Sequence, residues 1–408
     1  MNPAALRSRQ KNAAAIVRYL IKSGEVSRTE LASVLGLSTA TVTNIVTDLI
    51  RSGLVYESGS VGSALGRKAK LLRFHARRNY TLAVDLSSAS GITTIYLCDL
   101  LGTVERKTSL SIPFTLTAEN PDALILEQII RAVTDFIGAL SPEEQRKLRV
   151  AAVSLPGILN SNDSTIYAPS YNWKNLPLVR PLSAALPVPV YFENITRMKS
   201  IFELSYVEPE ERNVIYLTLS PGIGMVHFFD RHMVQGRHGL AGEVGHMTLD
   251  AHGPLCYCGN RGCFELYCDE HSLLRAAKKL TDGEDRCEIL HRLVRTEGRP
   301  LTIETLIEAR DLGSLKVHNT LSELAFYLGC ALTNLINCFD PDRIIISGNL
   351  IDLDDYVFSS AIEEAKSKII NRFAREVHIS KAKLATSDLG RAICAYVLDK
   401  IVDELIAE

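Results

Sequence analysis

What the chain lacks narrows its identity first. Nowhere in its 408 residues do ~20 consecutive apolar residues occur, so no membrane-spanning helix is expected. The opening MNPAALRSRQK has no apolar stretch of the kind an export signal carries, so no secretory signal is expected. Nine cysteines, an odd number, then argue against a disulfide framework, and a reducing cytoplasm is the expected location. Net charge is nearly absent, at −2, but that value hides an uneven distribution. Residues 1–78 hold 13 Lys+Arg against 4 Asp+Glu, whereas the remainder holds 32 against 43. A basic block ahead of an acidic body points to a polyanion-binding module attached to something else. The length implies two or three domains, and 46% hydrophobic with 23% charged residues is a globular composition.

The basic block is patterned. Residues 9–22 carry Ile16, Val17, Leu20 and Ile21 at helical spacing. Ser27-x-x-Glu30 is a capping signature that opens a short helix with Leu31, Val34 and Leu35 on one side, and Gly36 can end it in a left-handed turn. Ser38 can cap a third helix, in which Val42, Ile45, Val46, Leu49 and Ile50 form one apolar stripe. Ser38 and Thr39 at its start, and Thr43, Asn44, Thr47 and Arg51 on its other face, suit base edges and phosphates in a major groove. Two short strands, 53–56 and 69–74, then flank the loop ESGSVGSALGRK. The pattern predicts a winged helix-turn-helix over 1–78 that binds duplex operator DNA, with Arg67 and Lys68 on the wing.

From residue 80 the texture is α/β. TLAVDLS, GITTIYLCDL and TVERKTSLSI read as a meander, followed by an amphipathic helix (Leu124, Ile125, Ile129, Ile130, Val133). VAAVSLP and PVPVYFE are buried-strand runs, with a helix at 196–206. NVIYLTLS and GMVHFFD form a further strand pair, a long helix spans 314–338, and DPDRIIISG is a strand and turn. Helix, strand and helix close the chain, and two mixed-sheet α/β halves with a cleft between them are expected over 79–408.

VSLPGIL (153–159), YAPSYNW (167–173), VYFEN (190–194), GLAGEVGHMTLD (239–250) and, above all, GPLCYCGNRGCFE (253–265) make the chain resemble the ROK family, which contains sugar kinases and winged-helix repressors. The resemblance covers essentially the whole length and implies a two-lobed actin-like ATPase fold like that of hexokinases.

His246, Cys256, Cys258 and Cys263 form H-x9-C-x-C-x4-C. Three thiols in eight residues, broken by Gly259 and Gly262, can wrap a tetrahedral ion. Zinc suits reduced thiolates, and four ligands leave no open position, so the site reads as structural. In the family this cluster does hold zinc. The resemblance further implies that Asn194, Glu243, His246 and Glu265 hold sugar hydroxyls. A histidine held to zinc through one ring nitrogen is fixed in orientation and leaves the other for a ligand. The other six cysteines read as core.

Family kinases carry an aspartate after that asparagine to accept the proton of the attacking hydroxyl; this chain has Ile195. Their first phosphate loop contains Gly-Gly-Thr, where this chain has DLSSASG (85–91). Their second is Gly-Thr-Gly with further glycines, where LSPGIGMVH (219–227) inserts Pro221, Met225 and Val226. The expectation is a sensor of a sugar or sugar phosphate that binds no nucleotide and catalyses nothing. It is expected to repress sugar-metabolism genes as a homodimer or tetramer; the apolar face of the long helix near Leu328, Leu332 and Leu335 reads either as the pairing surface or as lobe core. The alternatives are a sugar kinase with its own DNA-binding head and a repressor governed by a protein partner.

Overall fold

The computed structural model describes residues 3–407 apart from 64–65, 88–90, 113–116, 118–120, 161–164, 169–171, 371–375 and 386–387. The side chains at 3–6, 60–63, 66–69, 160, 165 and 407 are outside the description as well. The chain forms two compact units, residues 1–205 with 388–408 and residues 206–387.

The first unit opens with α1 (Pro3–Ser23), β1 (Val26–Ser27), α2 (Arg28–Leu35), α3 (Thr39–Arg51), β2 (Val55–Ser63) and β3 (Gly66–Phe74). Ile16, Val17 and Leu20 of α1 are buried, as their spacing predicts. Ser27 Oγ accepts the Glu30 N–H at 3.2 Å, and Ser38 Oγ accepts that of Thr41 at 3.1 Å, so both helix starts are capped where expected. Gly36 ends α2 at φ +62°, a conformation cheap only for glycine. It lets α3 leave α2 at 120°, the helix-turn-helix angle. Val34 departs from expectation: it is 54% exposed, while Leu31 on the same helix is buried. The wing is also longer than expected. Residues 57–63 and 66–68 are paired strand rather than loop, with a ladder reaching Ser63–Gly66. Serine and glycine favour strand weakly alone, but each added pair extends an existing ladder, and register shifts near Gly59 and Ser63 absorb the misfit. β1, too short for periodicity to reveal, adds a third strand through Val26–Leu72.

The body of this unit continues with β4 (Tyr80–Asp85), β5 (Ile92–Asp99), β6 (Val104–Ser111), α4 (Asp122–Gly138), α5 (Pro142–Lys147) and β7 (Leu148–Leu155). Three short antiparallel strands, β8 (Ile158–Asn160), β9 (Thr165–Ala168) and β10 (Trp173–Leu176), precede α6 (Val179–Ala185), β11 (Val190–Asn194) and α7 (Ile195–Leu204). The main sheet runs β11-β7-β4-β5-β6, antiparallel from β4 to β6 and parallel from β4 to β11. Ile125, Ile129 and Val133 of α4 are fully buried beside it, whereas Leu124 is 37% exposed.

The second unit repeats that plan. It comprises β12 (Val214–Ser220), β13 (Gly222–Phe229), β14 (His232–Met233), α8 (Glu265–Cys268), α9 (Glu270–Asp282), α10 (Glu288–His291), α11 (Ile303–Asp311), α12 (Leu315–Phe339), β15 (Arg343–Ser347), α13 (Asn349–Leu353), α14 (Asp355–Lys368) and β16 (His378–Lys381). Its sheet runs β14-β13-β12-β15-β16, again antiparallel on one side of the first strand and parallel on the other. α12 is the central helix. Leu328, Leu332 and Leu335 lie at 0%, 0% and 1% exposure in the core of this unit, so of the two readings open for them the lobe core holds and the dimer face does not. Their apolar stripe is answered within the same chain.

The chain then returns to the first unit as α15 (Leu389–Ala407). Its buried Val397, Ile401, Val402 and Leu405 share one apolar cluster with Ile16 and Leu20 of α1 and Met198 of α7. Arg18 of α1 lies 3.9 Å from both Asp399 and Asp403 at the rim. Among the six remaining cysteines, 98, 268, 287 and 394 are buried as expected, but Cys330 is half-buried and Cys338 exposed, since both sit toward the outer side of α12. No single helix among the described residues is long and apolar enough to cross a membrane.

Candidate DNA-reading face and metal centre

α3 divides cleanly. Val42, Ile45, Val46 and Leu49 are buried, and Ser38, Thr39, Thr43, Asn44, Thr47 and Arg51 are exposed. Several of the polar groups are already engaged. Ser38 caps the helix, and Thr47 Oγ1 donates to the Thr43 carbonyl at 2.7 Å. Arg51 pairs with Asp48 at 3.0 Å, and Asp48 also holds Arg9 of α1. The Asn44 amide makes no hydrogen bond to another described residue, which leaves it able to present donor and acceptor together to a base edge. At the root of the wing, Glu57 pairs with Arg28 at 3.0 Å and with Lys70, fixing the hairpin to the start of α2. Arg67 and Lys68 lie on β3, and their side chains are outside the described residues.

The four metal-ligand candidates come together in the second unit. Nδ1 or Nε2 of His246 and the Sγ atoms of Cys256, Cys258 and Cys263 lie within 4.8 Å of one another. Cys256 Sγ is 3.7 Å from His246 Nδ1, and Cys258 Sγ is 3.7 Å from Cys263 Sγ. Tetrahedral zinc, with bonds of ~2.3 Å to sulfur and ~2.0 Å to nitrogen, spaces its ligand atoms about 3.5–3.8 Å apart. The donor set therefore fits zinc in size and chemistry. The loop is shaped by close approach: a Cβ on Gly262, at φ +62°, would stand 1.7 Å from the Asp250 carbonyl oxygen. Burial pushes the Cys256 and Cys263 thiols up, while the Asn260 backbone N–H draws Cys258 down. A cation must displace protons from the first two on binding.

The shell around these ligands holds residues that sequence reasoning missed. Asn260 Nδ2 donates to Thr248 Oγ1 at 2.9 Å and lies 3.5 Å from Cys263 Sγ. Tyr257 Oη lies 3.2 Å from His246 Nε2. The only signal for either was its place inside the cysteine loop. Glu265, 5% exposed, turns Oε1 toward Cys256 Sγ at 3.0 Å and His246 Nδ1 at 3.3 Å, and so borders the metal ligands. Glu243 is exposed, and its carbonyl accepts the His246 N–H at 3.2 Å. Asn194 belongs to the first unit, where Oδ1 caps α7 through the Thr196 N–H and Nδ2 donates to the Gly157 carbonyl, at 2.8 and 3.0 Å.

At the kinase-like positions, Ile195 is half-buried against the cluster shared by α7, α15 and α1. Asp85 is buried, and its Oδ1 accepts the Ser87 N–H at 2.9 Å and Ser154 Oγ at 2.6 Å; Ser88, Ala89 and Ser90 lie outside the described residues. Pro221 joins β12 to β13, and the next amide, Gly222 N–H, donates to Asp269 at 3.3 Å. Met225 and Val226 are buried at 6% and 4% exposure.

The ROK family model matches residues 92–396, and the MarR family model matches 9–63, the helix-turn-helix part. The xylose repressor of Bacillus spizizenii is 27% identical over 391 residues, covering 95% of both chains. A crystal structure described as a ROK family transcriptional regulator, homolog of E. coli MLC protein, superposes with a TM-score of 0.75 at 25% identity over 98% of both chains. A ROK family glucokinase from Streptomyces griseus shares the fold, with a TM-score of 0.65 at 23% identity over 79% of this chain and 100% of its own.

Proposed function

The chain belongs to the ROK family and carries a MarR-type winged helix ahead of the ROK domain, and we propose that it is a sugar-responsive transcriptional repressor without kinase activity. Residues 1–78 bind operator DNA and residues 79–408 sense the ligand. Ser38, Thr39, Thr43, Asn44, Thr47 and Arg51 face the major groove, with Arg67 and Lys68 on the wing. Two heads, brought together in a dimer or tetramer, address half-sites one helical turn or a multiple of it apart.

In the second unit His246, Cys256, Cys258 and Cys263 hold one structural zinc, which when bound neutralises the thiolates and fixes the loop. Glu243, His246 and Glu265 bind hydroxyls of a sugar or sugar phosphate, and Asn194, by its place in the VYFEN motif, is the candidate that the first unit offers. D-xylose is the first sugar to test, because the B. spizizenii relative is named a xylose repressor.

The observation that carries the non-enzymatic reading is Ile195. At the position of the family's proton acceptor stands a side chain that packs into the cluster joining α7, α15 and the head. Losing a positioned base costs ~10²–10⁴-fold in rate. The Gly222 amide, bonded to an aspartate, is also poorly disposed toward phosphate. The same cluster gives occupancy a route to DNA: Asn194 caps α7, and α7 and α15 share apolar residues with α1. A ligand shifts DNA affinity only by favouring one arrangement of these helices over another.

The test is a coupled ATP-turnover assay on the zinc-loaded protein with D-xylose, D-glucose and N-acetyl-D-glucosamine. Turnover indistinguishable from the blank is expected. A rate of about 1 s⁻¹ or more, within the usual kinase range, overturns the reading.

A further inference from the structure

Tyr257 stands directly between two metal ligands, Cys256 and Cys258, so a bound ion pins its backbone from both sides. Its Oη is 3.2 Å from His246 Nε2, and the two rings meet edge-on at 83° with centroids 5.3 Å apart. The other ring nitrogen, Nδ1, faces the thiol side, 3.7 Å from Cys256 Sγ. A neutral imidazole that gives Nδ1 to a metal carries its proton on Nε2. The phenol oxygen is then the acceptor of that proton, and the histidine's outward nitrogen is already satisfied. Tyr257 is 67% exposed, so its ring contributes little to the core.

We propose that Tyr257 is a gate on the sugar pocket, holding His246 Nε2–H in the empty site and yielding it to a sugar hydroxyl on binding. This rests on the sugar-sensing reading above and adds a residue that sets the affinity. Each binding event exchanges one hydrogen bond for another at the same nitrogen, so the sugar gains less than it would from a free donor. Removing only the competing oxygen therefore tightens binding, whereas a tyrosine that itself held the sugar would loosen it on the same change.

The experiment compares wild type with Tyr257→Phe at matched zinc content. D-xylose, D-glucose and N-acetyl-D-glucosamine are titrated by calorimetry, and the His246 ring is followed by ¹⁵N NMR. The expected result is affinity about 2- to 10-fold tighter in Tyr257→Phe, the equivalent of one neutral hydrogen bond, with zinc content unchanged. In the sugar-free variant the Nε2–H should exchange faster with water. If wild type binds one of the sugars and the variant binds it equally or more weakly, the gate is wrong and the sugar reading stands. Nε2–H exchange unaltered by the substitution also overturns the gate. If wild type binds none of the three sugars, both readings fall.

Discussion

Cys256 and Gly262 are the residues on which the metal centre is most exposed to test. Cys256 contacts His246 and Glu265 from a buried position, and replacing it with serine removes one of the four ligand candidates. The expected outcome for Cys256→Ser is zinc content falling from about one per chain toward zero and a stability loss on the order of 4 kcal/mol, read by metal analysis and denaturant melts. Gly262 makes a different point. Ala at that position meets the Asp250 carbonyl and an unfavourable φ together. Gly262→Ala should therefore cost about 2 kcal/mol or more and weaken zinc binding although every ligand is intact, as a chelator competition would read. The clustering of the four ligand candidates was legible, because three thiols and a histidine at close spacing have few other uses. Tyr257 and Asn260 were not, because their roles depend on where a loop folds back and no periodicity reports that.

α1, α7 and α15 come from the two ends and the middle of the chain and meet in one apolar cluster. Ile401, at 3% exposure, lies in it, whereas the Arg18–Asp399 contact is long and exposed. Ile401→Ala is expected to cost about 2–5 kcal/mol and to raise amide exchange in α1, whereas Arg18→Ala should cost under ~1 kcal/mol. Comparable losses for the two variants would contradict this assignment. In the second unit the ends of β15 and β16 are tied through Glu211, which meets Arg343 Nε at 2.8 Å and His378 Nδ1 at 2.6 Å. Burial pushes the Glu211 carboxyl up, but the bonds from Arg343 and His378 outweigh it and hold it below its ordinary 4.5. A carboxyl lowered in the folded state stabilises above the unfolded value, and that contribution fades as pH falls through the folded one. Wild type should thus exceed Glu211→Gln by about 1–3 kcal/mol near pH 7, and the gap should close below pH ~4.5 in acid melts. The elements themselves followed from pattern where they were long, as with α12 and the buried stripe of α3. Pattern failed where pairing decides. β1 has only two residues, and the wing strands run through Gly and Ser that choose strand only because a partner is already there.

Across the whole molecule the same five-stranded plan appears twice, and a reading head precedes the first copy. Sequence alone carried the family, the head and the two α/β halves, because each rests on a local motif or a run of residues. It left the long helix's apolar face open between a dimer contact and lobe core, and burial decides for core. Leu328, Leu332 and Leu335 are apolar for a reason internal to their own unit, and an apolar helix stripe does not say which neighbour covers it. The central claim is that a zinc-braced sugar site governs the head without chemistry. It is tested most directly by fluorescence anisotropy of labelled DNA from upstream of this protein's own coding region, titrated with the zinc-loaded full-length protein. The titration is run without ATP, with and without each of D-xylose, D-glucose and N-acetyl-D-glucosamine. The account predicts tight binding at low salt and a change of about 5- to 150-fold in Kd with one of the sugars. DNA affinity that no sugar alters, or no binding to the duplex at all, would contradict it.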